Sequence, residues 1–130
     1  MKTLRQICII DDDPISVFGL KRAMAATGFK PDLSIFENGL DALENFEKLI
    51  KDDSVLPSLI FVDLNMPVMD GWDFMGEFIK LIPMPTDMLK IYVMTSSIDA
   101  KDLETAKTFG LEGHYLIKPV AADVLEGILS

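Results

Sequence analysis

Ser58-Leu59-Ile60-Phe61-Val62-Asp63-Leu64-Asn65-Met66-Pro67-Val68-Met69-Asp70-Gly71 decides how the rest of the chain is read. Leu59 to Val62 is short, wholly apolar and rich in β-branched residues. Pro57 bounds it on one side and a Pro/Gly turn on the other, which predicts a buried strand. Asp63 closes that strand. A carboxylate there is badly placed for a core and well placed for chemistry at the rim of a sheet.

The pattern recurs along the chain. Gln6-Ile7-Cys8-Ile9-Ile10 runs into Asp11-Asp12-Asp13, Lys90-Ile91-Tyr92-Val93-Met94 into Thr95-Ser96-Ser97, and His114-Tyr115-Leu116-Ile117 into Lys118-Pro119. Each apolar run ends in residues able to hold a metal or a phosphate. In open parallel α/β sheets, ligands bind outside the carboxyl ends of the strands. Four separate segments thus converge on one expected polar cluster.

Helical patterns lie between the strands. Pro14 opens the first, with Asp13 as N-cap and Val17, Leu20 and Met24 inward, and Gly28 ends it. Strand two, Asp32–Phe36, carries the polar Ser34 and is expected at a sheet edge. Asn38 caps a second helix with Leu43, Phe46 and Ile50 inward. The third starts near Gly71, carries Phe74, Met75, Phe78, Ile79 and Ile82, and stops at Pro83. Residues 83–89 read as a loop. Leu103, Ala106 and Phe109 mark a fourth helix stopped by Gly110. Ala121, Val124, Leu125 and Ile128 mark a fifth. Alternating strands and helices imply a doubly wound parallel α/β sheet with right-handed crossovers.

The 130 residues are 49% hydrophobic and 25% charged, which suits one domain spanning 1–130 with a real core. The net charge of −9 disfavours direct binding to nucleic acid or anionic membranes. No apolar run approaches the ~20 residues of a membrane span. Cys8 is the sole cysteine, so no disulfide forms within the chain. A cytoplasmic location is the expectation.

Asp11, Asp12 and Asp63 would gather three carboxylates. Like charges ~4 Å apart repel by ~4 kcal/mol at an effective dielectric near 20, so the cluster calls for a cation. All-oxygen donors without the EF-hand pattern favour Mg²⁺. Lys118 adds a fixed positive charge and Thr95 a hydroxyl, which suits a dianionic group. An aspartate can itself be the nucleophile in phosphoryl transfer.

These segments, taken in order, resemble the receiver domain of two-component response regulators over essentially the whole chain. The resemblance implies the flavodoxin-like (βα)5 fold with strand order 2-1-3-4-5. It implies that Asp63 accepts phosphate from a sensor histidine kinase or a histidine phosphotransfer protein. Asp12 and Asp63 would ligate Mg²⁺ by side chain, Asn65 by its backbone carbonyl, and Asp11 through water. Thr95, Ser96 and Lys118 would contact phosphate oxygens, Tyr115 would move with Thr95 as a switch, and Lys118–Pro119 would be cis. The output would be altered binding to a downstream protein. The chain would catalyse only its own phosphorylation and dephosphorylation, alone or as the receiver portion of a longer regulator. Val120 stands where this family usually has Phe, and Ser96 where Ala or Gly is frequent.

Plainer roles compete at single positions. Asp13 and Asp70 suit helix caps, His114 a strand start, and Trp72 with the Phe/Met stripe the core. Met84 and Met88 suit loop packing. Two other functions also remain open. A haloacid-dehalogenase-like phosphatase could use Asp11 and Asp13 as its Asp-x-Asp pair. A docking module would need no phosphate at all.

Overall fold

The computed structural model describes residues 6–82 and 89–129. Among these residues, five strands alternate with five helices: β1 (Gln6–Ile10), α1 (Pro14–Ala26), β2 (Asp32–Phe36), α2 (Gly39–Lys51), β3 (Leu59–Asp63), α3 (Gly71–Leu81), β4 (Lys90–Thr95), α4 (Ala100–Thr108), β5 (Tyr115–Ile117) and α5 (Ala122–Leu129). The strands are parallel and lie in the order β2-β1-β3-β4-β5. β2 is at an edge, as Ser34 suggests.

Side chains alternate across a strand, so each strand feeds both faces of the sheet. Cys8, Ile10, Ile60, Val62, Ile91 and Val93 point to one face and pack with Phe46 of α2, Phe74 and Phe78 of α3 and Ala106 of α4. Ile7, Ile9, Leu59, Phe61 and Met94 point to the other and meet Val17, Leu20 and Met24 of α1 and Leu125 and Leu129 of α5. Both faces are thus covered, which explains why β1 and β3 read as unbroken apolar runs. Burial among these side chains pushes the Cys8 thiol up to about 12.

The helix boundaries follow local chemistry. Asp13 accepts from the N–H of Ile15, Asn38 from Asp41 and Asp99 from Asp102. Asp70 and Asp73 form a reciprocal capping box at α3. Gly28 (φ 83°) and Gly110 (φ 73°) take the left-handed conformation just past α1 and α4. Lys118–Pro119 is cis.

Several expectations need correction. Ile50, expected inward, is 43% exposed, because it sits in the last turn of α2 beyond the packed stretch Ala42–Phe46. Trp72 is only half-buried: it packs against the edge of the core cluster on that face while its indole spans from α3 to α4. β5 covers only Tyr115–Ile117, so His114 lies just before it and Lys118 begins the turn. α3 ends at Leu81 with Ile82 as its C-cap. The expected stop at Pro83, the loop at 83–88, and Met84 and Met88 lie outside the described residues.

Candidate functional site

Hydrogen bonds beyond the strand ends bring the candidate residues together. Asp11 N–H donates to the Phe36 carbonyl (3.0 Å), Leu64 N–H to Met94 (2.9 Å) and Lys118 N–H to Thr95 (2.8 Å). Asp11, Asp63, Thr95 and Lys118 therefore stand side by side at the carboxyl edge of the sheet. This is where an open α/β sheet places its ligands.

Among the described residues, the buried polar or charged side chains are Asp11 (2% exposed), Asp63 (4%) and Thr95 (2%). All three belong to this cluster. Lys118 Nζ donates to Asp11 Oδ2 at 2.8 Å and lies 3.3 Å from Asp63 Oδ1. Asp63 Oδ1 also accepts from Asn65 N–H at 3.3 Å. A cleft of about 480 Å³ opens over the cluster, lined by Asp12, Asp13, Pro14, Asp63, Asn65, Ser96 and Lys118.

The electrostatics follow from burial and crowding. Burial, then the charge of Asp11, lifts the Asp63 carboxyl to about 6 despite Lys118 and the Asn65 N–H. Burial works against the Lys118 charge as well. The hydrogen bond and charge of Asp11, reinforced by Asp63, outweigh it and raise the lysine above its ordinary value.

One oxygen from each of Asp11, Asp12 and Asp63 lies within 4.8 Å of the others. Three carboxylates against one lysine leave excess negative charge, and the donors are all oxygen. That set fits a hard divalent cation.

The turn after β3 is tight. Gly71 N–H donates to the Leu64 carbonyl (3.2 Å), and a Cβ on Gly71 would stand 2.7 Å from the Asp63 carbonyl oxygen. Only glycine fits there, so α3 starts directly against the site. Val68 in the same turn takes φ 69°, which a β-branched residue rarely adopts.

Thr95 is placed differently from its expected use. Its hydroxyl donates to the Ser97 carbonyl (2.8 Å) and accepts from Ser97 N–H (3.3 Å), so it is engaged within its own loop. Tyr115 is half-buried against the core cluster on the α2–α4 face of the sheet. Asp13, one of the pair a dehalogenase-like enzyme would need, spends its carboxylate on capping α1. His114 stacks on Tyr92, with ring centroids 4.6 Å apart, at the start of β5 and away from the cluster. The Lys118–Asp11 pair was not expected. The two residues lie 107 positions apart, and only the parallel register brings them together.

Comparison with known proteins agrees with the fold. The chain belongs to the response regulator receiver domain family, whose model matches residues 7–130. It is 36% identical over 89 residues to protein-glutamate methylesterase/protein-glutamine glutaminase 2 of Bordetella avium, covering 68% of this chain and 23% of that one. It is 30% identical over 120 residues to the transcriptional regulatory protein DegU of Brevibacillus brevis, covering 92% and 46%. The chain thus spans less than half the length of these curated relatives. A two component response regulator from Cytophaga hutchinsonii superposes with a TM-score of 0.82 at 24% identity, over 98% of this chain and 96% of that one. A CheY-like receiver domain protein from Methanospirillum hungatei gives 0.76 at 23%, over 98% and 92%. At these identities the structures speak to the fold. Family membership places the chain in phosphorylation-activated signalling, with kinase or phosphotransfer partners as a class. Among the described residues, no helix is long and apolar enough to cross a membrane.

Proposed function

We propose that this chain, as a single receiver domain over residues 1–130, is a switch phosphorylated on Asp63. The donor is a phosphohistidine on a sensor kinase or a histidine phosphotransfer protein, and the output is altered binding to a downstream protein. The observation that carries this reading is the gathering of Asp11, Asp63 and Thr95, the buried polar side chains among the described residues, around Lys118 at one cleft.

A carboxylate oxygen of Asp63 attacks the phosphorus. The P–N bond to the donor imidazole breaks as the P–O bond forms, and the freed nitrogen keeps the electron pair and takes up a proton. Asp63 acts as the ionised carboxylate, the form that Lys118 favours and a bound cation would favour further. Asp12 and Asp63 would hold Mg²⁺ by side chain, with the Asn65 carbonyl, and Asp11 would reach it through water. When bound, Mg²⁺ offsets the charge on the transferred oxygens. Lys118 turns from Asp11 toward a phosphate oxygen, and Thr95 and Ser96 donate hydroxyl hydrogen bonds.

Thr95 can make that bond only by leaving the Ser97 carbonyl, so phosphate moves the loop after β4. Tyr115, one strand away, follows into the space released. The chain then works in the cytoplasm as a switch, not as a conventional enzyme acting on an external substrate.

Incubation with Mg²⁺ and acetyl phosphate tests the reading. Intact mass should rise by one phosphoryl group, and Asp63→Asn should abolish the gain. Turnover of a generic phosphomonoester, or unchanged partner binding in Asp63→Asn, would instead support the phosphatase or the phosphate-independent docking module.

A further inference from the structure

We infer that Trp72 is a positioning residue, latching α4 to α3 and so holding the two loops beside the Asp63 cleft at a fixed separation. This rests on the reading of that cleft given above. Trp72 directly follows Gly71, the glycine pressed against the Asp63 carbonyl. Its indole Nε1–H donates to Asp102 Oδ1 on α4 at 3.1 Å. Its ring stacks on Phe109, the C-cap of α4, with centroids 5.8 Å apart and planes within 4° of parallel. One side chain therefore grips both ends of α4.

α4 depends on that grip. Ala106 is its single buried residue, and Leu103 is 42% exposed. The helix has little apolar contact of its own to fix it on the sheet. The grip also reaches the cleft. Asp102, whose carboxylate takes the indole N–H, donates its backbone N–H to Asp99 Oδ1 at 2.8 Å. Asp99 closes the loop that begins with Thr95, Ser96 and Ser97. The loop bearing Asn65 and the loop bearing Ser96 flank the cleft. They are thus joined a second time, behind the cleft, through Trp72. Loss of the latch frees α4 and lets the Ser96 loop swing from the Asn65 loop. Water then reaches a phosphorylated Asp63 more easily.

Hydrogen exchange on the unmodified full chain, without divalent cations, tests the latch directly. Trp72→Phe keeps an aromatic ring for Phe109 and loses the N–H donor. Asp102→Leu loses the acceptor, and Asp102→Asn keeps one. A net hydrogen bond of ~1 kcal/mol predicts about fivefold faster exchange over residues 96–106 in Trp72→Phe and in Asp102→Leu. Asp102→Asn should stay near wild type, and the Trp72→Phe/Asp102→Leu double variant should exceed neither single. After acetyl phosphate and Mg²⁺, acid-labile phosphate should be lost faster from Trp72→Phe than from wild type. Unchanged exchange over 96–106, a rise spread evenly over the chain, additive single effects, or an unaltered phosphate lifetime would each overturn the inference. Failure of wild type to take up phosphate would overturn the reading of the cleft, while the exchange data would still judge the latch.

Discussion

Lys118 Nζ lies closer to Asp11 Oδ2, at 2.8 Å, than to Asp63 Oδ1, at 3.3 Å. The lysine is shared, and its shorter bond is to the carboxylate that is not the proposed acceptor. It holds two buried negative charges together before any phosphate arrives.

Lys118→Ala should therefore cost stability, because it leaves Asp11 and Asp63 facing each other uncompensated. Removing one partner of a fully buried pair costs ~3–5 kcal/mol, and the open cleft should reduce this to roughly 1–3 kcal/mol. Urea unfolding should show the loss and its partial recovery with Mg²⁺. The variant should still accept some phosphate from acetyl phosphate but should not couple it to partner binding. Equal stability of variant and wild type without Mg²⁺ would contradict this account.

Mg²⁺ should stabilise the folded chain. At tenfold above its dissociation constant, one bound ion adds about 1.4 kcal/mol. Asp12→Ala should lose that gain and Mg²⁺-dependent phosphorylation while keeping its fold, since Asp12 is exposed and supports no packing. A thermal melt with and without the ion reads this. An undiminished Mg²⁺ shift in Asp12→Ala would show that the ligands lie elsewhere.

Asp63 should give stability a pH dependence of unusual sign for a carboxylate. Its folded pKa is raised from 3.8 to about 6. Between those values the folded chain keeps a proton that the unfolded chain has released. Stability from this group therefore falls as pH rises through the window and levels off above it. Asp63→Asn should remove the fall and be more stable at neutral pH by roughly 2–3 kcal/mol at most. Denaturation across pH 4–8 without divalent cations measures it. Parallel curves for the two proteins would contradict the assignment.

Thr95→Ala should separate phosphorylation from its consequence. Without the hydroxyl the loop has no bond to exchange between Ser97 and phosphate. Hydrogen exchange should change on phosphorylation across residues 100–109 and 114–128 in wild type. The change should be blunted in Thr95→Ala, which still takes up phosphate. Changes confined to the cleft loops, or found on α1, would place the output on another face.

Most of the fold was legible because strand ends, caps and glycine stops are local signals. Asp13, Asn38 and Asp70 cap the helices their sequences suggested. Side-chain depth was less legible. A 3.6-residue period gives the direction of an apolar stripe but not its width or where packing ends, so Ile50 read as inward and lies half outside. Trp72 read as core because apolar spacing does not show that an indole N–H has a carboxylate on the next helix. At the site, residue types at strand ends pointed to Asp11, Asp63, Thr95 and Lys118. The pairing of Lys118 with Asp11 and the turn of Thr95 toward Ser97 depend on tertiary register and loop geometry, which sequence order does not encode locally.

The central claim is that Asp63, and no neighbouring carboxylate, takes the phosphoryl group. Borohydride reduces an acyl phosphate, turning the modified aspartate into homoserine, which peptide mass spectrometry locates. Wild-type protein treated with Mg²⁺ and acetyl phosphate and then reduced should carry homoserine at position 63, and protein treated without Mg²⁺ should carry little. Homoserine at position 11 or 12 instead, or no conversion at position 63 under conditions that phosphorylate the chain, would contradict the account.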